Sequence, residues 1–370
     1  MTIVIKVAIF FLNCIYRLFW VCPVKDKIVF ISREADKPSV DIRYLMTEFQ
    51  EKYPNYQVEA LCKTIDNGIK GKLCYGLHMI SQMYHMATAK VVALDTYCIA
   101  ASVLRHRKEL TIVQMWHAVG CLKKFSYSIL DKAEGRSSKI AKLMRMHQNY
   151  DYIFVSSEQC KPYLAEAYQC PEDIMEVIPL PRMDILTKEE EKKRCAIEIY
   201  AKYPQLQDKK TILYVPTFRK NGNQDEAIVE LIENIDLQKY NFVLKYHPIV
   251  REGADMAGVI TDNIFSSLEW MSVSDYVITD YSAVSYEAAV AEKPLFFYIY
   301  DWKDYEKDRS FYIDYMAEMP GIITEKASEI AHAIEEENYD LQRVKEFANK
   351  YIAEETDYTA KAAEFLARLF

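Results

Sequence analysis

From Lys27 onward the chain alternates short apolar runs with stretches of helical pattern, and this alternation restricts the fold more than any other feature. The runs are Lys27–Ser32, Tyr56–Cys62, Val91–Tyr97, Leu110–His117, Asp151–Ser157 and Met175–Pro181, then Thr211–Thr217, Asn241–His247, Gly258–Asp262, Asp275–Asp280, Pro294–Tyr300 and Gly321–Thr324. Many are continuously apolar, as strands are when both faces of a parallel sheet are covered by helices. Between them Ile42–Lys52, Lys161–Tyr168, Ala227–Ile235 and Ser328–Glu336 read as helix. The pattern predicts an α/β protein of two doubly wound units in series, which also suits 370 residues, too many for one ordinary core.

The expected bounds are 25–190 for the first unit and 205–340 for the second. A charged, proline-containing seam falls at 186–211, and a helical segment, 341–370, packs back on the first unit. The net charge of -8 argues against nucleic acid as the main partner. Nine scattered cysteines without a C-x-x-C are expected to be reduced thiols, neither a disulfide framework nor a zinc site.

Residues 1–24 form the strongly hydrophobic segment, "MTIVIKVAIFFLNCIYRLFWVCPV", nearly long enough to span a bilayer. Lys6, Asn13 and Arg17 break it at spacings of seven and four, which places them on one stripe of a helix. A helix lying in the membrane interface fits that stripe, with Trp20 at headgroup level and Lys25 and Lys27 beyond it. A buried core helix and a true span are the alternatives; little starting charge and no cleavage site before Pro23 speak against a signal peptide.

Parallel sheets place ligands at the carboxyl ends of their strands, so the strand ends carry the functional reading. "QMWHAVG" puts Trp116 and His117 at one end, and a histidine there is a candidate base for a hydroxyl or a structural histidine. "LKYHP" puts His247 at another. "YVPTFR" supplies Thr217 and Arg219, whose guanidinium is suited to phosphate or to a surface carboxylate. At "ITDYSAVSYEAAV" a strand stops on Asp280-Tyr281-Ser282 and a helix begins. Ser282 as its cap, with Tyr281 and Ser285 beside it, makes the first turn a phosphate site or a plain capped helix. Glu287 one turn on either accepts bonds from a polyol hydroxyl or faces solvent. Arg182 and Asp184 in "PLPRMD" line a cleft or fix the linker, the linker being favoured. The basic stretch Lys123–Arg145 faces anionic lipid or polymer, or is a solvated helix face. No G-x-G-x-x-G, P-loop, D-x-D, H-E-x-x-H or G-x-S-x-G is present, so no cofactor or metal is expected.

These strand ends, in this order, resemble those of the CDP-glycerol glycerophosphotransferase family, the teichoic acid polymerases and primases. "QMWHAVG", "VSSEQCKPYLAEAY", "PLPRMD", "ILYVPTFR", "LKYHP" and above all "SDYVITDYSAVSYEAAVAEKPLFFYIYD" carry the resemblance, from about Lys25 to Gly321. It implies a GT-B-like arrangement of two Rossmann-type domains with a cleft between them. It implies transfer of a polyol phosphate, glycerol phosphate first, from CDP-glycerol or CDP-ribitol to a hydroxyl of a lipid-linked glycan or polymeric acceptor, releasing CMP. In that likeness His117 is the base and His247 steadies the donor pyrophosphate. Arg219, Ser282 and the following helix hold that pyrophosphate, with Thr217, Asp280, Tyr281, Ser285 and Glu287 around the donor. The expected location is peripheral, on the cytoplasmic side of the cell membrane, with homo-oligomerisation open. Ala118, Val119-Gly120, Ala283 and Glu287 depart from the family pattern. The rival readings are a GT-B glycosyltransferase using a nucleotide sugar and a non-catalytic membrane-attached scaffold.

Overall fold

The computed structural model describes residues 2–66, 68–132, 134–219, 224–246 and 256–370. Two compact units emerge. The first comprises residues 1–118, 125–182 and 355–370; the second comprises 119–124 and 183–354.

The first unit holds a six-stranded, fully parallel sheet of β1 (Lys27–Ser32), β2 (Gln57–Cys62), β3 (Val91–Leu94), β4 (Thr111–Gln114), β5 (Tyr152–Val155) and β6 (Met175–Val177), in the order β2-β1-β3-β4-β5-β6. All six residues of β1 and all four of β3 are buried, which accounts for the continuous apolar runs 28–31 and 91–94. The helix Val40–Lys52 starts at Ser39, whose hydroxyl caps the Ile42 amide, and packs beside the C-terminal helix Tyr358–Ala367.

The second sheet comprises β7 (Lys210–Val215), β8 (Tyr240–Leu244), β9 (Val259–Thr261), β10 (Tyr276–Thr279), β11 (Leu295–Tyr298) and β12 (Ile322–Thr324). It is again parallel, in the order β12-β11-β10-β7-β8-β9. Ile212, Tyr214, Phe242, Leu244, Ile278 and Phe296 form one core with the helices Gln224–Asn234 and Ala327–Glu335. The charged helix Glu189–Lys202 packs within this unit against the short helices Asp184–Thr187 and Ser267–Trp270. The helix Leu341–Tyr351 also belongs here, where Phe347 and Tyr351 meet the ring of Tyr286.

Each of the twelve expected runs contains a strand, and the α/β reading holds throughout. β1, β2 and β12 end where expected, and the other nine strands stop short of the expected carboxyl end. β4 stops at Gln114 rather than His117, because Trp116 has φ 65, a left-handed conformation that cannot continue a ladder. The helix after β10 runs only from Val284 to Val290, shorter than the expected 283–292. Among its described residues the basic stretch holds a 3-10 turn, Ser126–Ile129, and a six-residue α-helix, Ser138–Leu143.

Candidate active site

In the first sheet, strand succession changes direction between β1 and β3, the place where open parallel sheets put their ligands. Arg33-Glu34 follows β1 there, Asp95-Thr96-Tyr97 follows β3, and Trp116-His117 follows β4 alongside. The turn into His117 is built by Gln114, a fully buried polar residue in an otherwise apolar run. Its Nε2 donates to the Thr96 carbonyl at 3.2 Å and to the Tyr150 hydroxyl at 3.1 Å, while its Oε1 accepts the Trp116 amide at 2.9 Å. Trp116 is then locked by stacking on Phe125, with ring centroids 4.6 Å apart, and by the His117 ring at 4.1 Å.

His117 Nδ1 lies 3.0 Å from the Asp95 backbone carbonyl. A carbonyl only accepts, so Nδ1 carries a proton, and in the neutral ring Nε2 keeps the lone pair. The side chain is 33% exposed, with Glu34 Oε1 at 3.8 Å from Nδ1. This is the tautomer a base needs, on a ring reachable from solvent.

Asp95 itself was not singled out by sequence. It is 1% exposed, and neither carboxylate oxygen has a hydrogen-bond partner among the described residues. Burial pushes its pKa up to about 7. The Ser32 and Ser39 hydroxyls lie close enough to oppose that rise without regular hydrogen bonds, and the charges of Glu34 and Asp41 reinforce it. Arg33 and Arg136 lie 5.5 and 5.7 Å from the ring centroid of Tyr97, and neither makes an ion pair among the described residues. His147 is a core residue, 2.9 Å from the Tyr150 hydroxyl, and burial drives its pKa down to about 3. Arg182 forks onto Asp41, with Nε at 2.9 Å and Nη2 at 2.5 Å, so its guanidinium anchors the chain within this unit.

In the second sheet the direction of succession changes between β10 and β7, and the strand ends there carry the residues expected around a donor. Asp280 is fully buried; its Oδ1 accepts the Thr217 amide at 2.9 Å and the Thr217 hydroxyl at 2.5 Å. Arg219 donates to Asp280 Oδ2 at 2.9 Å, to both oxygens of Asp301 at 2.6 and 3.1 Å, and to the Thr217 carbonyl at 2.7 Å. The fork expected to grip phosphate is thus occupied by two carboxylates. Tyr281, fully buried, donates to Asp301 at 3.1 Å and stacks on Tyr305 with centroids 3.8 Å apart. Asp301 closes the second apolar run, but its tie to Arg219 is not readable from spacing.

Ser282 is half-buried, and its hydroxyl accepts the Val284 amide at 3.3 Å. Ser285 is fully buried and donates to the Ser282 carbonyl at 2.9 Å. Glu287 is buried and so does not sit on a solvated face. Gly120, with φ 69, lies where a Cβ would come within 2.5 Å of the Tyr286 ring. Close by in this unit, Lys123 reaches over Tyr305 at 5.3 Å. Burial pushes its pKa down to about 8; Asp280 opposes the shift, and Arg309 and Arg219 reinforce it. Asp184 is buried against Lys188 at 3.1 Å. His247 lies outside the described residues. Among the described residues no three His, Cys, Asp or Glu side chains gather as metal ligands.

Comparison with known proteins adds to this geometry. The family model described as CDP-Glycerol:Poly(glycerophosphate) glycerophosphotransferase matches residues 14–362. A teichoic acid ribitol-phosphate primase of Bacillus spizizenii is 33% identical over 355 residues, covering 92% of this chain and 91% of that protein. A teichoic acid glycerol-phosphate primase of Bacillus subtilis is 26% identical over 358 residues, covering 93% and 92%. A solved structure of a variant of the wall teichoic acid polymerase TagF superposes with a TM-score of 0.77 at 20% identity, covering 96% and 93%. That likeness shows the fold, which is GT-B.

Proposed function

This chain belongs to the CDP-glycerol:poly(glycerophosphate) glycerophosphotransferase family, and we propose that it transfers a polyol phosphate from a CDP-polyol to a hydroxyl of a lipid-linked or polymeric glycan acceptor. The observation that carries the reading is His117, whose Nδ1 is held by the Asp95 carbonyl and whose Nε2 is left as the basic nitrogen. Nε2 takes the proton of the acceptor hydroxyl. That oxygen attacks the phosphorus bearing the polyol, a new P–O bond forms, and the P–O bond to CMP breaks with its electron pair leaving on CMP. Charge developing on the phosphoryl oxygens needs fixed donors and cations. In the second unit we assign this work to Lys123, Arg309 and the Ser282 turn, while Asp280, Asp301, Arg219 and Tyr281 hold the strand ends rigid. His247 keeps its role as a pyrophosphate contact in this proposal.

Both a ribitol-phosphate primase and a glycerol-phosphate primase match over more than nine-tenths of their length, so glycerol and ribitol are the two donors to compare. Arg33 and Arg136, cations without a carboxylate partner among the described residues, suit an acceptor that carries phosphate. The enzyme is placed on the cytoplasmic face of the membrane. Its N-terminal helical segment, Thr2–Val21, is long and apolar enough to cross one, yet its only buried residue is Tyr16. Asn13 of the polar stripe turns toward the protein, donating to the Val103 carbonyl at 3.3 Å and accepting the Arg105 amide at 2.8 Å. An outward apolar face with an inward polar anchor fits a helix lying in the interface.

The test is incubation with CDP-glycerol, CDP-ribitol and UDP-sugars in turn, with a lipid-linked acceptor. CMP release and a product heavier by one polyol phosphate are expected from a CDP-polyol. UDP release with sugar transfer, or no turnover with any donor, refutes the reading.

A further inference from the structure

The N-terminal helix does not stand alone on the surface of the first unit. The helix Ile69–Ala87 packs beside it, with the Tyr84 ring 5.8 Å from that of Phe19. On this second helix Ile69, Leu73, Leu77, Ile80 and Tyr84 are exposed, a stripe at spacings of four, four, three and four residues that a protein surrounded by water buries. On the first helix Val4, Val7, Phe10, Phe11 and Leu18 are exposed in the same way. These outward faces extend the apolar surface beyond the segment that the sequence marks as hydrophobic.

Beside this surface runs a groove of about 370 Å³ in which four cations meet: Lys6 and Arg17 from the first helix, Arg105 after the helix Ile99–Val103, and Arg145 after the helix Ser138–Leu143. Its apolar lining includes Phe10 and Val103, and no carboxylate lines it. None of the four cations makes an ion pair among the described residues; Arg145 has only Asn149 at 3.5 Å, and Arg17 only the Trp20 ring at 5.8 Å. The chain carries 54 acidic residues against 46 basic ones, so acids to balance this cluster are plentiful elsewhere. Four like charges gathered without a counter-ion repel one another and point to an anion supplied from outside.

We propose that this groove binds the phosphate of an anionic phospholipid of the membrane, whose acyl chains continue along the apolar faces of the two helices. The inference rests on the membrane attachment proposed above and adds a headgroup site to it. Phosphate chemistry explains the clustered guanidinium groups, which fork onto phosphate oxygens. The apolar lining and the flanking stripe explain why that phosphate belongs to a lipid rather than to a solute.

The full chain is sedimented with vesicles of phosphatidylcholine alone, and with vesicles containing one-third phosphatidylglycerol, at physiological ionic strength. Wild type is expected to prefer the anionic vesicles. The triple variant Lys6→Ser, Arg105→Ser, Arg145→Ser, whose side chains are all exposed, should lose roughly a hundredfold in affinity for them. It should keep its binding to neutral vesicles and its transfer to a short water-soluble acceptor. Removing the same number of charges elsewhere, by Lys193→Ser, Lys202→Ser and Lys345→Ser, should have little effect. The apolar variant Phe10→Ser, Leu73→Ser, Leu77→Ser should weaken binding to both vesicle types. Undiminished anionic binding by the groove variant, or an equal loss in the charge control, overturns the site. So does release by inorganic phosphate beyond that by chloride at equal ionic strength, which would make the groove a free-anion site. If wild type binds neither vesicle, the membrane attachment fails and the headgroup site with it, while CMP release still tests the transferase reading on its own.

Discussion

Among the described residues, at the carboxyl edge of the first sheet, Asp95 is buried without a hydrogen-bond partner, and the His117 hydrogen bond is made by Nδ1 and not by Nε2. At the carboxyl edge of the second sheet both oxygens of Asp280 and both of Asp301 are engaged by Thr217, Arg219 and Tyr281. Both edges follow the same rule of strand order, yet one leaves capacity for chemistry and the other spends it on rigidity. A satisfied buried network fixes geometry, and an unsatisfied buried group holds free energy that a proton or a ligand releases. In the proposed reaction the first edge moves a proton and the second keeps a donor still.

The strongest way to break this comparison is to open the closed network. Asp280→Ala leaves the buried Arg219 facing Asp301 alone and is expected to cost about 3–5 kcal/mol of stability in denaturant unfolding. A loss below about 1 kcal/mol would show that the network is not the brace described. Next in size is the pH response of Asp95. Its native pKa near 7 lies above the ordinary 3.8, so between these values the folded state binds more protons than the unfolded one. Its contribution is fully present below about pH 4 and is lost as pH rises through about 7. Asp95→Asn removes that loss. The variant should match wild type near pH 4 and exceed it by on the order of 4 kcal/mol near pH 8. Equal stability of the two proteins at both pH values would place Asp95 in a satisfied site.

Smaller effects sharpen the division of labour. Arg33→Ala with Arg136→Ala should raise the acceptor KM roughly tenfold with kcat little changed, as loss of uniform binding does. A fall in kcat alone would move these cations from holding the acceptor to the reacting phosphate. Ser282→Ala removes one weak bond to the Val284 amide and should cost at most about 1 kcal/mol of stability. A rise in donor KM is expected beside that small change, and an unchanged donor KM would remove the Ser282 side chain from the donor contacts.

The fold was legible in the sequence because strands buried on both faces announce themselves as apolar runs, as β1, β3, β10 and β11 do, while the edge strands β2 and β9 are only partly buried. Their exact ends were not, because the strand-end tripeptides look extended until a residue such as Trp116 turns left-handed. His117 was legible as a histidine at a strand end. Asp95 was not: Asp95-Thr96-Tyr97 reads as the polar close of a strand, and only burial separates a stranded carboxylate from a solvated one. Arg219 was singled out as a phosphate cation, but its fork is taken by Asp280 and by Asp301, which lies 82 residues away and comes to it through sheet order alone. The stripe Lys6, Asn13, Arg17 was read correctly from helical spacing, whereas Arg105 and Arg145 join Lys6 and Arg17 only in the folded unit.

The most direct measurement uses His117→Asn, whose amide can still donate to the Asp95 carbonyl but offers no base. Single-turnover CMP release from a bound CDP-polyol, with a lipid-linked acceptor present, should fall by about 10²–10⁴-fold while donor affinity and unfolding stability stay at wild-type values. Release at a rate within about threefold of wild type, with the same product, would contradict the assignment of the base and with it the division between the two edges.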